Sequence, residues 1–260
     1  MTTASRFAPG TFTPAPGVGR RGTMLFTQAR TEALLAFRNG EQVLLTVLIP
    51  LALLVGLTLV TIIPMPAPRV DAVTPRVFAL AIMSSAFTGQ AIALGFDRRY
   101  GVLKRLAATA IPRWLLVGGR LLAAVVIVVV QLVVLGVVAA IMGWSPRLAG
   151  VAPAVLLVVL GTLAFGALGV LLGGSLRAEI VLALANIIWF VLLLAGGAGI
   201  ASNLPQSATD ILVLLPSGAL AEGLYGALGH GGTPLWECLL VLLVWFGLAG
   251  GLATRTTKLT

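Results

Sequence analysis

The sequence predicts an all-α polytopic membrane protein: six transmembrane helices, an N-terminal amphipathic surface helix, and short re-entrant helices before the last span. Three observations predict it. Of the 260 residues, 59% are hydrophobic and only 10% charged, whereas a soluble domain carries about 25% charged residues. Such a chain has too little polar surface to cover a water-soluble globule. Uncharged apolar runs recur, each of the roughly 20 residues needed to cross about 30 Å of hydrocarbon. Lys and Arg gather on alternate connections between those runs, as they do when cytoplasmic loops carry the positive charge.

Residues 1–22 are rich in Thr, Pro, Gly and Ala and lack periodicity, which predicts a disordered cytoplasmic tail. Arg20-Arg21 superficially suggests an export signal, but Gln28, Arg30, Glu32 and Arg38 interrupt the run that would follow, so no cleaved signal peptide is expected. Residues 23–40 read as an amphipathic interfacial helix with Thr23 as N-cap. Its Leu25, Phe26, Leu34, Leu35 and Phe37 would face lipid, and its basic side the headgroups. Asn39-Gly40 is a helix stop.

The six-span domain covers 41–254. Span one, 42–63, is expected to kink at Pro50 and to end at Pro64, Pro66 and Pro68. Arg69, Asp71 and Arg76 form a short outer loop before span two, 77–96. The stretch FDRRYGVLKRLAATAIPRW follows, and residues 97–112 within it read as a short basic helix facing the cytoplasm. Asp97 suits the N-terminus of such a helix by the dipole. Span three, 114–141, holds Arg120 close enough to the interface to snorkel. Span four is 150–174, and Arg177 with Glu179 make a tight inner turn. Span five, 180–199, fades in glycines. Residues 203–230 are too short and too interrupted by Pro205 and Pro216 to span, and read as an outer re-entrant element. Span six is 235–253, and Arg255 and Lys258 place the C-terminus inside.

This arrangement puts every Lys and Arg on the inner side except Arg69, Arg76 and Arg147, while the acids divide evenly. Orientation alone therefore accounts for the net charge of +9, and no nucleic-acid partner is expected. Cys238 and His230 are each the sole residue of their type. That leaves no intrachain disulfide, cysteine metal cluster or bis-histidine haem site.

The chain has no Gly-x-x-x-x-Gly-Lys-Ser/Thr loop to cradle a nucleotide. It has neither a His-Glu-x-x-His helix nor a Gly-x-Ser-x-Gly elbow. No Asp, Glu or Lys lies mid-span, where ion-coupled pumps keep their relay group. The mid-membrane polar residues are uncharged: Ser84, Ser85, Thr88 and Gln90 on span two, Gln131 on span three and Asn186 on span five. They read either as interhelical hydrogen-bond glue or, for Ser84, Ser85, Thr88, Gln90 and Asn186, as a weakly polar wall for a large amphiphile. Gly169 with Gly173, and Gly247 with Gly251, allow close helix contact within one subunit or at a dimer seam.

Asp97-Arg-Arg-Tyr-Gly-Val-Leu-Lys-Arg-Leu106, then Thr109-Ala-Ile-Pro112 and Gly118-Gly-Arg120, resembles the signature of type-2 ATP-binding-cassette (ABC) exporter permeases of the multidrug or antibiotic type. The Phe37-Arg-Asn-Gly40 stretch, Pro50, Leu204-Pro205, and Leu215-Pro216 through Ala221-Glu222 agree in order, so the resemblance covers roughly 24–254. It departs at Val102, where Thr is common, and at Ala110-Ile111, which separate Thr109 from Pro112.

The resemblance implies a second permease subunit, identical or homologous, and a cytoplasmic ABC ATPase that holds ATP and Mg²⁺, with no cofactor on this chain and no enzyme activity of its own. It implies that residues 97–112 are the coupling helix, with Asp97, Arg98, Arg99, Tyr100, Gly101, Leu103, Lys104 and Arg105 meeting the ATPase. It also implies a bacterial cytoplasmic-membrane location and export of a drug, antibiotic, lipid or other amphiphile. A polysaccharide exporter and a non-transporting membrane anchor are the alternatives.

Overall fold

The computed structural model describes residues 19–60, 65, 67–108, 112–197, 211–229 and 234–256, and these form helices joined by short turns, with no strand among them. The expected tail over 1–18, the Pro64 and Pro66 stops, the Thr109 to Ile111 part of the signature, 203–210 and Lys258 lie outside the described residues. Among the described residues five helices are long and apolar enough to cross a membrane: Arg69–Arg99, Trp114–Ile141, Leu148–Ser175, Ala178–Gly196 and Leu235–Thr256. Their outward faces are apolar, as at Val133, Val137, Ile187, Phe190, Leu194, Leu240 and Leu248. Apolar surface on that scale would aggregate in water and is stable only against lipid or protein.

Helix α1, Arg21–Arg38, begins just before the expected Thr23 and breaks for a single residue at Asn39. The break is brief, because α2, Gly40–Leu59, starts at once. A stripe of Gln28, Ala29, Glu32 and Ala33 turns inward, and Ala29 and Ala33 are buried. It packs on the start of α6, Arg113–Ile141, at Gly118-Gly119. A Cβ at Gly119 would lie 2.4 Å from Gln28 Cγ, so a larger residue there would have to displace the Gln28 side chain. Phe26, Leu34 and Leu35 stay on the outward face.

The largest departure from the sequence reading is the second long helix. It starts at Arg69, about two turns before the expected Val77. The polar residues that suggested a loop are satisfied by neighbours instead. Arg69 donates to the carbonyls of Leu57 and Val60, capping the end of α2. Asp71 accepts from the Ser145 backbone at 3.4 Å. Arg76 lies 3.9 Å from Glu222 and 4.2 Å above the Tyr225 ring.

This helix has three parts: α3 (Arg69–Ile82), a π-helical stretch (Met83–Gly89) and α4 (Gln90–Arg99). A π turn widens the helix and re-aims its side chains, and such turns concentrate at functional positions. Helix α7, Val151–Ser175, fits against it through Gly169 and Gly173. Cβ atoms there would stand 2.6 Å from Phe87 O and 2.5 Å from Ala91 O. This Gly-x-x-x-Gly pair therefore serves packing within the chain. At Gly247 and Gly251 an added Cβ would meet nothing within 4 Å among the described residues.

Helix α8 is Ala178–Gly197, α9 is Pro216–Leu228 and α10 is Leu235–Thr256. Of these three, α9 is too short to span, at about 20 Å. Pro216 opens it at a position where the missing N–H costs nothing. Ala219, Leu220 and Leu224 are fully buried against α3, α7, α8 and α10.

Burial raises the Glu222 carboxyl on α9 above its ordinary 4.5, and Arg76 offsets this only in part. A raised folded-state pKa contributes stability below the unfolded value and loses it as pH climbs through the folded one. This group's contribution to thermal stability should therefore fall as pH rises above 4.5, and Glu222→Gln should flatten that slope. Parallel slopes for the two proteins in pH-dependent melting would refute this.

Candidate functional site: a tethered cationic turn beside a polar cavity

The basic stretch is built differently from the single helix expected over 97–112. Asp97, Arg98 and Arg99 form the last turn of α4, so Asp97 sits at a helix C-terminus and not at an N-terminus. Gly101 then adopts φ 71°, the left-handed conformation that glycine reaches without penalty. Its N–H bonds Arg98 O at 3.1 Å and closes α4. The six-residue helix α5, Val102–Ala107, follows. Leu103 is buried with Leu94, Val117, Leu121, Val170 and Ala253, which pins α5 to the bundle.

The cations of this stretch divide into two groups. Arg98 donates to Leu176 O at 2.9 Å and to Gly173 O at 3.3 Å, satisfying carbonyls at the end of α7. Arg99 pairs with Glu179 at 2.6 Å, tying α4 to α8 at an exposed position worth little in stability. Tyr100, Lys104 and Arg105 remain exposed. These three form the outward face of the turn, while Asp97, Arg98, Arg99 and Leu103 hold it in place.

Arg120 does not snorkel to the surface. It is 7% exposed, bonds the Asp97 carboxylate, and lies 3.8 Å from Glu32, which also accepts from Gln28 at 3.1 Å. One guanidinium thus joins α1, α4 and α6. In a low-dielectric setting an arginine is stable only when paired in this way. The sequence reading named all three residues but did not join them. The one signal available was the occurrence of Asp97 and Arg120 near the ends of otherwise uncharged runs.

Beside this cluster is a cavity of about 380 Å³ between α1, α2, α4, α5 and α6. Ser85 and Gln90 line it, together with Thr31, Glu32, Asp97 and Arg120. Ser85 donates to Gln131 Oε1 at 2.7 Å, and Gln131 in turn donates to Thr46 O, so Gln131 bridges three helices. The other wall candidates lie elsewhere. Ser84 donates to Leu80 O and accepts from Trp189 of α8 at 2.9 Å, which makes it interhelical glue. Thr88 has a buried hydroxyl oxygen without a hydrogen-bond partner among the described residues. Asn186 is exposed and bonds Leu182 O of its own helix. The expected wall of spans two and five therefore separates, and the polar lining faces α1, α2 and α6 instead.

Compared with known protein families, residues 70–254 match the model of a family described as ABC-2 family transporter protein. None of the curated proteins compared with the chain matches it. The match covers the basic turn with α4, α6 and α7 that hold it, and begins beyond α1 and the Phe37 to Pro50 stretch.

Proposed function

This chain belongs to the ABC-2 family of transporter proteins, membrane permeases that work with an ABC ATPase, and we propose that it exports an amphiphile and is driven through the turn at Tyr100, Lys104 and Arg105. The observation that carries the reading is that exposed cationic face, held rigidly from behind by Leu103, Arg98 and the Asp97–Arg120–Glu32 cluster. A lever must be exposed where it is pushed and fixed where it transmits.

In this reading Gly40–Leu59 is a sixth span and α1 lies at the interface, its Phe26, Leu34 and Leu35 in lipid. Helix α9 is a re-entrant helix, supported by its burial on protein. The basic end faces the cytoplasm by the positive-inside rule. A second permease subunit completes the path, and the multidrug or antibiotic class of cargo suits the uncharged spans. ATP and Mg²⁺ stay in the ATPase. Closing of the ATPase pair draws the turn sideways. Because α5 is pinned and Arg120 spans three helices, α1, α4 and α6 then tilt as one body.

The test is ATP hydrolysis by the permease and its ATPase reconstituted together. Lys104→Glu with Arg105→Glu, placed on the exposed face, should reduce stimulation to the level of the ATPase alone while leaving the permease folded. Unchanged stimulation would remove the turn from the mechanism. Arg98→Glu is a poorer probe, since it also uncaps α7.

A further inference from the structure

We propose that the cavity between α1, α4 and α6 is the binding site for the cargo's polar group, and that this group is a protonated primary or secondary amine on an apolar body. The inference rests on the export reading above and deepens it.

The hydroxyls of Ser85 and Thr31 on the cavity wall spend their hydrogens within the protein. Ser85 gives its hydroxyl hydrogen to Gln131, and Thr31 gives its own to Thr27 O. The Gln28 amide donates to Glu32. What the two hydroxyls and the carboxylates still present is lone pairs. Two carboxylates, Glu32 and Asp97, share one guanidinium, so one negative charge has no cationic partner within the cluster. Arg120 is already engaged by both and is poorly placed to take a phosphate or sulfate. An anion would add a third negative group beside a single cation, whereas an ammonium would neutralise the surplus. It would also donate N–H to the hydroxyl and carboxylate oxygens of the wall, through short charge-assisted bonds. A quaternary ammonium would bring the charge without the donors.

The cavity is amphipathic as well. Leu35, Val102, Leu106, Ala123 and Ile127 are among its apolar lining, so a polar head can seat on Glu32 and Asp97 while the carbon skeleton stays on apolar surface. At about 380 Å³ it falls within the 300–1,000 Å³ typical of small-molecule pockets.

The test is calorimetric titration of the full chain in phosphatidylcholine nanodiscs at pH 7, with empty discs subtracted. The probes are dodecylamine, dodecyltrimethylammonium and dodecyl sulfate. Dodecylamine should bind saturably and more tightly than the trimethylammonium, and dodecyl sulfate should show partition only. Glu32→Gln, near-isosteric but uncharged, should weaken dodecylamine about tenfold or more, as loss of a charge-assisted hydrogen bond does. Ala93→Phe, which fills the cavity, should abolish binding. If that variant fails to fold, Gln90→Leu should weaken binding at the same wall.

Equal binding of dodecyl sulfate, or dodecylamine binding indifferent to Glu32→Gln and to whichever cavity variant folds, would overturn the proposal. The two readings fail separately. A permease that stimulates its ATPase but binds no amine keeps the export reading and loses this one. A chain that binds the amine but never stimulates an ATPase keeps an amine site and loses the export reading that makes the amine a cargo.

Discussion

Gly169→Leu should prevent the chain from accumulating as a folded protein. The backbone of α7 meets the π-helical stretch at this point, and an added Cβ would stand 2.6 Å from Phe87 O, 3.1 Å from Ala86 O and 3.2 Å from Gln90 Cβ. Two of those atoms are backbone, so no rotamer change relieves the contact. Either α7 retreats or the π turns collapse. Overpacking costs about 1–3 kcal/mol when side chains can move, and about 3 kcal/mol or more is expected here. That is a large fraction of a typical folding free energy. Gly247→Leu is the matched control, because nothing among the described residues lies within 4 Å of the added atom. The isolated chain should then melt within about 0.5 kcal/mol of wild type, as unobstructed substitutions do. Recovery in detergent and thermal melting read both variants. Normal melting of Gly169→Leu would mean that the two helices do not meet in this way.

The second large effect is expected from Arg120→Leu. Removing the guanidinium leaves Glu32 and Asp97 without their shared cation, at 21% and 31% side-chain exposure. Breaking a buried pair from one side costs about 3–5 kcal/mol, and the partial exposure of the carboxylates places this case near the lower end. The loss is also mechanical, since α1 loses its ionic tie to α4 and α6. Adding Asp97→Asn should recover part of the stability, because one stranded charge is then gone. A double-mutant cycle between the two positions should show coupling of about 0.5–3 kcal/mol. Additive effects in melting would show that the two residues act independently.

Of the two predictions, the first concerns a contact whose participants could be suspected from spacing alone. Gly169 and Gly173 stand one turn apart in an uncharged run, and such a pair packs closely on something. That the something is the Phe87 to Ala91 backbone was not legible. The π turns pack on a helix roughly eighty residues away in sequence, a contact that no local pattern in the sequence names. Arg120 follows the same pattern. Its distance from the span end suggested a side chain reaching out to headgroups, whereas Asp97 and Glu32 offered a nearer partner. Arg69, Asp71 and Arg76 were misread for a related reason. Charge was taken as a mark of loop, yet helix-end carbonyls, a backbone N–H and Glu222 satisfy those side chains within a continuous helix.

Composition and run length by themselves determined that this protein is helical, crosses a membrane several times and gathers its cations at one end. These are additive properties: transfer free energy sums over residues, and a charge is expelled from hydrocarbon whatever its neighbours. Tertiary structure alone decided which cations remain free to meet a partner and which lining surrounds the polar cavity. Those outcomes depend on which helices touch. A guanidinium over a carbonyl end or between two carboxylates is spent, and an identical one a turn further along is not.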